Sequence, residues 1–216
     1  MLQCRLQRCS TGRRAAAPCG RTVDSVLAGY VVIDTETTGL SSKSERLVEY
    51  GALLLDENGV EEGFYTVLLN PGRPIPRQAS MVHGIEDRDV RNSPRFRDVA
   101  PAVLATLENR AVVGHNVGFD VSFLRVEFSR CGVEWEPRLI LDTLYASRRV
   151  LKGVKSHKLT TLRGVLGIES GEAHRVEADI RATHELACRI AAHDRVLADH
   201  PFRSTEPLPG ALRSKQ

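Results

Sequence analysis

Short apolar runs, each closed by an acidic or turn-forming residue, set the strands of this chain. Tyr30-Val31-Val32-Ile33 is one such run, of buried-strand length, ending at Asp34. Leu47 to Leu55 and Gly63 to Leu69 are two more β-rich runs, joined through Asp56-Glu57-Asn58-Gly59. Asn-Gly is a strong turn signal, so these three strands are predicted to form an antiparallel meander. Prolines 71, 74 and 76 then predict an extended loop. Phe96, Val99, Val103, Leu104 and Leu107 recur at helical spacing after Ser93-Pro94. Ala111-Val112-Val113-Gly114 reads as a fourth strand, followed by a helix with Val121, Leu124, Arg125 and Phe128 on one side. Leu139-Ile140-Leu141 reads as a fifth strand, ending at Asp142, and three helices are expected around 142–150, 159–166 and 175–195. Strands followed by helices predict a single α/β domain, a mixed five-stranded sheet flanked by helices. No internal repeat is visible.

Composition narrows the class. The chain has 216 residues, 42% of them hydrophobic and 26% charged, enough for a packed core and too ordered a mixture for wholesale disorder. No apolar run reaches the roughly 18–20 residues that cross a bilayer. Five cysteines form no Cys-x-x-Cys pair and three lie in the first 19 residues, which argues against a disulfide framework or zinc knuckle and for a reducing compartment. The net charge of +3 is unevenly divided: residues 1–23 carry five arginines and no acid, and 201–216 carry two net positive charges, leaving −4 on the body from 24 to 200. An acidic body is not an electrostatic footprint for nucleic acid, so local charge and metal ions would have to do that work. Residues 1–25 read as a flexible basic arm, with a targeting segment or an over-long start as alternatives, 26–198 as the domain, and 199–216 as an unstructured tail.

Acidic residues recur where strands end or helices begin. Asp34 and Glu36 follow the first strand, Asp120 the fourth, and Asp179 lies early in the last helix. Strand positions i and i+2 face one side, so Asp34 and Glu36 can point into one space. Thr37, Thr38 and Gly39 would turn the chain sharply and leave backbone N–H groups free. Clustered carboxylates repel unless a cation neutralises them, and hard oxygen ligands without Cys or clustered His favour Mg²⁺ or Mn²⁺ over Zn²⁺. Taken singly, each acid reads as an ordinary cap or surface group, and His174 as an ordinary surface histidine.

Taken together, the segments resemble a known family. Val31-Val32-Ile33-Asp34-Thr35-Glu36-Thr37-Thr38-Gly39-Leu40 resembles the first motif of the DEDDh family of 3′→5′ exonucleases, and His115-Asn116-Val117-Gly118-Phe119-Asp120 the second. His174-Arg175-Val176-Glu177-Ala178-Asp179 resembles the third, in its His-x4-Asp form. Met81-Val82-His83-Gly84-Ile85 is similar to the family's substrate-side loop, and Leu141-Asp142-Thr143-Leu144 to the strand end before the third motif. The similarity covers about residues 28–195 and is nearest to the branch of bacterial DNA polymerase III proofreading (epsilon) subunits.

The resemblance implies a ribonuclease-H-like sheet carrying two divalent cations, Mg²⁺ or Mn²⁺. Asp34 would bridge both ions, Glu36 and Asp179 would complete the shell of one, and Asp120 would serve the other. His174 would be the general base toward the attacking water. Thr37, Thr38, Gly39 and Leu40 would line the terminal nucleotide, with Met81, His83 and Gly84 approaching from the opposite loop. Phe119 would offer a face to a base, with core packing as its alternative and that of Leu40, while Asn116 would mainly hold its turn. Positioning is expected from backbone and apolar groups rather than from a wide basic patch. The implied substrate is a single-stranded 3′ end, DNA of the proofreading or repair type, with an RNA-trimming exoribonuclease as the alternative. A DNA polymerase is a possible partner, although the residues after Leu197 show no clamp- or polymerase-binding segment, which favours a free-standing enzyme of the bacterial cytoplasm.

Overall fold

A computed structural model describes residues 27–169, 175–204, 208–209 and 212. Five strands, β1 (Gly29–Thr37), β2 (Leu47–Asp56), β3 (Glu61–Leu68), β4 (Arg110–Gly114) and β5 (Ile140–Asp142), form one sheet in the order β3-β2-β1-β4-β5. The meander β1-β2-β3 is antiparallel, while β4 and β5 add in parallel to β1. The meander's second turn is the one the Asn-Gly pair predicts, with Gly59 at φ 82° and its N–H donating to Asp56 O. The helices are α1 (Arg77–His83), α2 (Asp87–Val90), α3 (Phe96–Leu107), α4 (Gly118–Arg130), α5 (Thr143–Val150), α6 (Leu159–Leu166) and α7 (Val176–Ala191).

Strand alternation sorts the core into two layers. Val31 and Ile33 of β1 face α3 and α4, in a cluster with Tyr50, Val103, Phe123 and Phe128. Val32 faces the other way, packing with Leu53, Leu162, Val176, Ile180 and Leu186 under α5, α6 and α7. The same parity carries on through the polar end of β1, which runs past the apolar stretch to Thr37.

Two sequence expectations change, and two short helices are added. The proline-rich stretch ends at Pro76, and α1 and α2 follow it, short helices whose few apolar positions give no periodic signal. The last helix stops at Ala191, with a separate 3-10 turn at Leu197–Asp199. The tail is also not unstructured where it is described: Phe202 is 1% exposed and Leu208 is buried, both in the α5–α7 layer. Phe202 meets Tyr30 edge-on at 5.4 Å between ring centres. Prolines deny this segment a helix or a central strand, but they leave its apolar side chains able to fill the layer's edge. The expected arm, residues 1–25, lies outside the described residues. Among the described residues no helix is long and apolar enough to cross a membrane.

Candidate active site

Parity at the end of β1 directs the carboxylates. Asp34 and Glu36 share the face of Val32, toward α7, and α7 presents Asp179 in its first turn. One carboxylate oxygen each from Asp34, Glu36 and Asp179 lie within 4.8 Å of one another. The approach depends on Gly51, which stands opposite Asp34 in the β1–β2 ladder. A Cβ on Gly51 would meet Val176 Cγ1 at 2.0 Å and Ile180 Cδ1 at 2.8 Å, so only glycine lets α7 lie this close to the sheet. Thr35, between the two acids, faces α4 and donates to Asp120 Oδ1 at 2.7 Å. Asp120 is therefore held from the other layer and stands outside the three-carboxylate cluster, with its charge still felt at Asp34.

Crowding and burial make these groups costly to ionise. Burial, then the charges of Asp120, Glu36, Asp179 and Glu49, hold the Asp34 carboxyl well above the usual aspartate range. Burial, with Asp179, Glu49 and Asp120, pushes Glu36 up to about 8. Burial raises Asp120 to about 7, against the hydrogen bond from Thr35. Such a cluster is neutralised by protons or by a cation, and all its donors are hard carboxylate oxygens.

Glu49 is the functional candidate that the sequence reading missed. It lies opposite Glu36 in the ladder, buried, with Oε2 lacking any hydrogen-bond partner among the described residues. Burial raises its carboxyl, partly offset by Arg175 and a hydrogen bond accepted from Thr66. The signal was present: one acid inside the otherwise apolar run Leu47-Val48-Glu49-Tyr50 is a buried charge in search of a partner. Its orphaned oxygen beside the cluster fits a site built for a divalent cation.

A cavity of about 550 Å³ opens beside the acids, lined by Glu36, Thr37, Gly39, Leu40, His83 and Phe119 among others. Thr38 also lines it, but both threonine hydroxyls are used internally: Thr37 Oγ1 donates to Gly39 O and Thr38 Oγ1 to Glu45 Oε2. The Thr38 N–H is not free as expected but donates to Arg46 O at 2.9 Å, so this residue builds the turn. Leu40 is 89% exposed at the rim, not core, while Phe119 both lines the cavity and packs on Phe123 at 4.9 Å. From the opposite wall His83 is buried, and its Nδ1 accepts the Ile85 N–H at 3.0 Å. That bond leaves the proton on Nε2, which makes no close hydrogen bond among the described residues, and burial holds the ring below the usual imidazole range, partly offset by the Thr37 backbone. Met81 is 75% exposed and outside the cavity lining; Gly84 is outside it too, capping α1 at φ 73°. Asn116, at φ 64°, lines a different cavity. His174 lies outside the described residues.

A mixed sheet with helices on both faces and carboxylates gathered at the end of its central strand is the ribonuclease-H-like nuclease arrangement. A family model described as Exonuclease matches residues 31–187. The chain is 33% identical over 166 residues to DNA polymerase III subunit epsilon of Treponema pallidum, covering 76% of this chain and 77% of that one. It is 32% identical over 155 residues to the 3′-5′ exonuclease DinG of Bacillus subtilis, covering 71% of this chain but 16% of that protein. Among solved structures, the zinc-bound E. coli exonuclease I complex with single-stranded DNA superposes with a TM-score of 0.69 at 23% identity, over 79% of this chain and 42% of that one, a likeness of fold. The chain belongs to the exonuclease family, among its 3′→5′ enzymes.

Proposed function

We propose that this chain removes nucleoside 5′-monophosphates from the 3′ end of single-stranded DNA, using two divalent cations, Mg²⁺ or Mn²⁺. The observation that carries this reading is the convergence of Asp34, Glu36 and Asp179, with Glu36 also lining the Thr37–Leu40 and His83 cavity. Asp34, Glu36 and Asp179 would hold one cation, and Asp34 with Asp120 the second. When bound, the cations supply Lewis-acid stabilisation of the charge that develops on the phosphoryl oxygens. The cavity beside them takes the terminal nucleotide: Phe119 offers a ring to the base, exposed Leu40 wedges the next base away, and the buried His83 Nε2–H donates to the sugar or phosphate. His174, from the third motif, would accept the proton of the attacking water, and His174→Ala should lower turnover about 10²–10⁴-fold. The names of the epsilon subunit and of the exonuclease I complex support DNA over RNA, and the first of these also supports a polymerase as partner.

The test is a time course on 5′- and 3′-labelled oligonucleotides, DNA and RNA in parallel, with Mg²⁺, Mn²⁺ or EDTA. A ladder shortening from the 3′ end of DNA, with 5′-monophosphate as the product and no cleavage in EDTA, is expected. Nicking of a closed circle, or full activity after removal of metal, would overturn the proposal; faster loss of RNA would overturn its DNA assignment.

A further inference from the structure

Residues 143–168 contain six lysines and arginines and no acid, in a body that is otherwise net acidic. Three of the five lysines of the whole chain, Lys152, Lys155 and Lys158, fall in the loop between α5 and α6. That loop and α5 form a second cavity of about 570 Å³, lined by Asn116, Arg148, Ser156, His157 and Lys158 among others. It adjoins the turn that leads into α4. Asn116 lines this cavity and Phe119 the catalytic one, and the Phe119 N–H donates to Asn116 O at 3.0 Å to close the turn between them.

We propose that this second cavity binds the phosphodiester backbone of the single-stranded DNA upstream of its 3′ end, through Arg148 and Lys158. The identity of the strand rests on the exonuclease reading; the cationic site stands on its own geometry. Arg148, Lys152, Lys155 and Lys158 are exposed, and among the described residues none of them has an ion-pair partner. The nearby carboxylate, Asp142, is already engaged, its Oδ1 accepting the N–H groups of Asn116 and Leu144. The wall is tied together by hydrogen bonds within the chain. His115 bridges Thr143 Oγ1 and His157 O, at 2.9 and 2.8 Å, and His157 Nδ1 meets Ser147 Oγ at 3.1 Å. Burial and then the charges of Arg148 and Lys152 hold the His157 ring below the usual imidazole range. Arg148 also lies 5.7 Å from the ring centre of Tyr145, which is 55% exposed, so an aromatic face stands beside the charge as single-strand sites require. The two cavities divide the work chemically. The catalytic one has no lysine or arginine in its lining and reads sugar and base; this one is cationic and reads phosphate.

The test uses the full chain and two double variants, R148A/K158A and R148E/K158E. The first readout is kcat/KM on a dinucleotide and on a 12-nucleotide strand over a range of salt. The ratio of the long to the short substrate should fall about tenfold in the alanine variant and further in the glutamate variant, through KM. The second readout is equilibrium anisotropy of a fluorescent 12-mer in EDTA. Two lost phosphate contacts should make the slope of log affinity against log salt shallower by about 1.4, at roughly 0.7 per contact on single strands. An unchanged length ratio with an unchanged salt slope would overturn the proposal. Should the wild-type chain release no nucleotide, the exonuclease reading falls, and the anisotropy still decides: weaker 12-mer binding in both variants supports the cationic site, and equal binding overturns it.

Discussion

Arg163 of α6 donates to Asp179 of α7 at 3.3 Å, and both side chains are 12% exposed. One of the three clustered carboxylates is thus paired with a cation of the protein itself. That pairing offsets part of the repulsion within the cluster.

Replacing Arg163 with methionine keeps an unbranched apolar stem and removes the charge. The metal-free protein should lose about 1–3 kcal/mol of stability, the usual penalty for leaving a buried charged group without its partner. Saturating Mn²⁺ should recover more stability in the variant than in the wild type. Melting curves in EDTA and in Mn²⁺ check this, and equal curves for the two proteins would show that the pair is idle.

The raised carboxyls set a pH dependence whose sign is unusual for acids. Glu36 near 8 and Asp120 near 7 bind protons more tightly in the folded chain than in the unfolded one. Their contribution is fully present below the ordinary carboxylate range and is lost as pH rises through 7 to 8. The metal-free protein should therefore be most stable near pH 5 and weaken toward pH 8.5, whereas saturating Mn²⁺ should flatten the trend. Urea midpoints at three pH values, with and without EDTA, measure it. A midpoint that rises with pH in EDTA would contradict the cluster's electrostatics.

Asp34→Asn removes the charge that four other carboxylates oppose. Cleavage should disappear while the metal-free melting temperature at pH 8 stays level or increases. Collapse of the fold would make this acid structural.

Gly51→Ala tests the close approach of α7. The added methyl should destabilise the fold by about 1–3 kcal/mol through overpacking against Val176 and Ile180, and weaken Mn²⁺ affinity by shifting Asp179. Urea titration and Mn²⁺ titration followed by electron paramagnetic resonance read the two effects separately. Wild-type values in both would remove Gly51 from the account.

His83→Phe keeps a ring of similar size and deletes the buried Nε2–H. KM for a 3′-hydroxyl end should rise with retained metal affinity, because His83 lines the nucleotide cavity and is not one of the clustered acids. Unchanged KM would assign the histidine to its bond with Ile85 alone.

Much of this site was legible along the chain because strand and helix periods are local. Two-residue alternation by itself puts Asp34 and Glu36 on one face and Thr35 on the other, and the acids after the apolar runs mark where strands end. The motif residues of β1, α4 and α7 could be named without coordinates. Periodicity says nothing about register or approach, which depend on what packs across the sheet. The ladder sets Glu49 opposite Glu36, and the missing side chain of Gly51 brings α7, more than 120 residues on, down to Asp34. Parity sends Thr35 to Asp120 in the opposite layer, and tertiary folding sets the cation-rich α5–α6 loop beside the Asn116 turn. Those relations join residues distant in sequence through steric fit and shared burial, so only the folded chain could decide them.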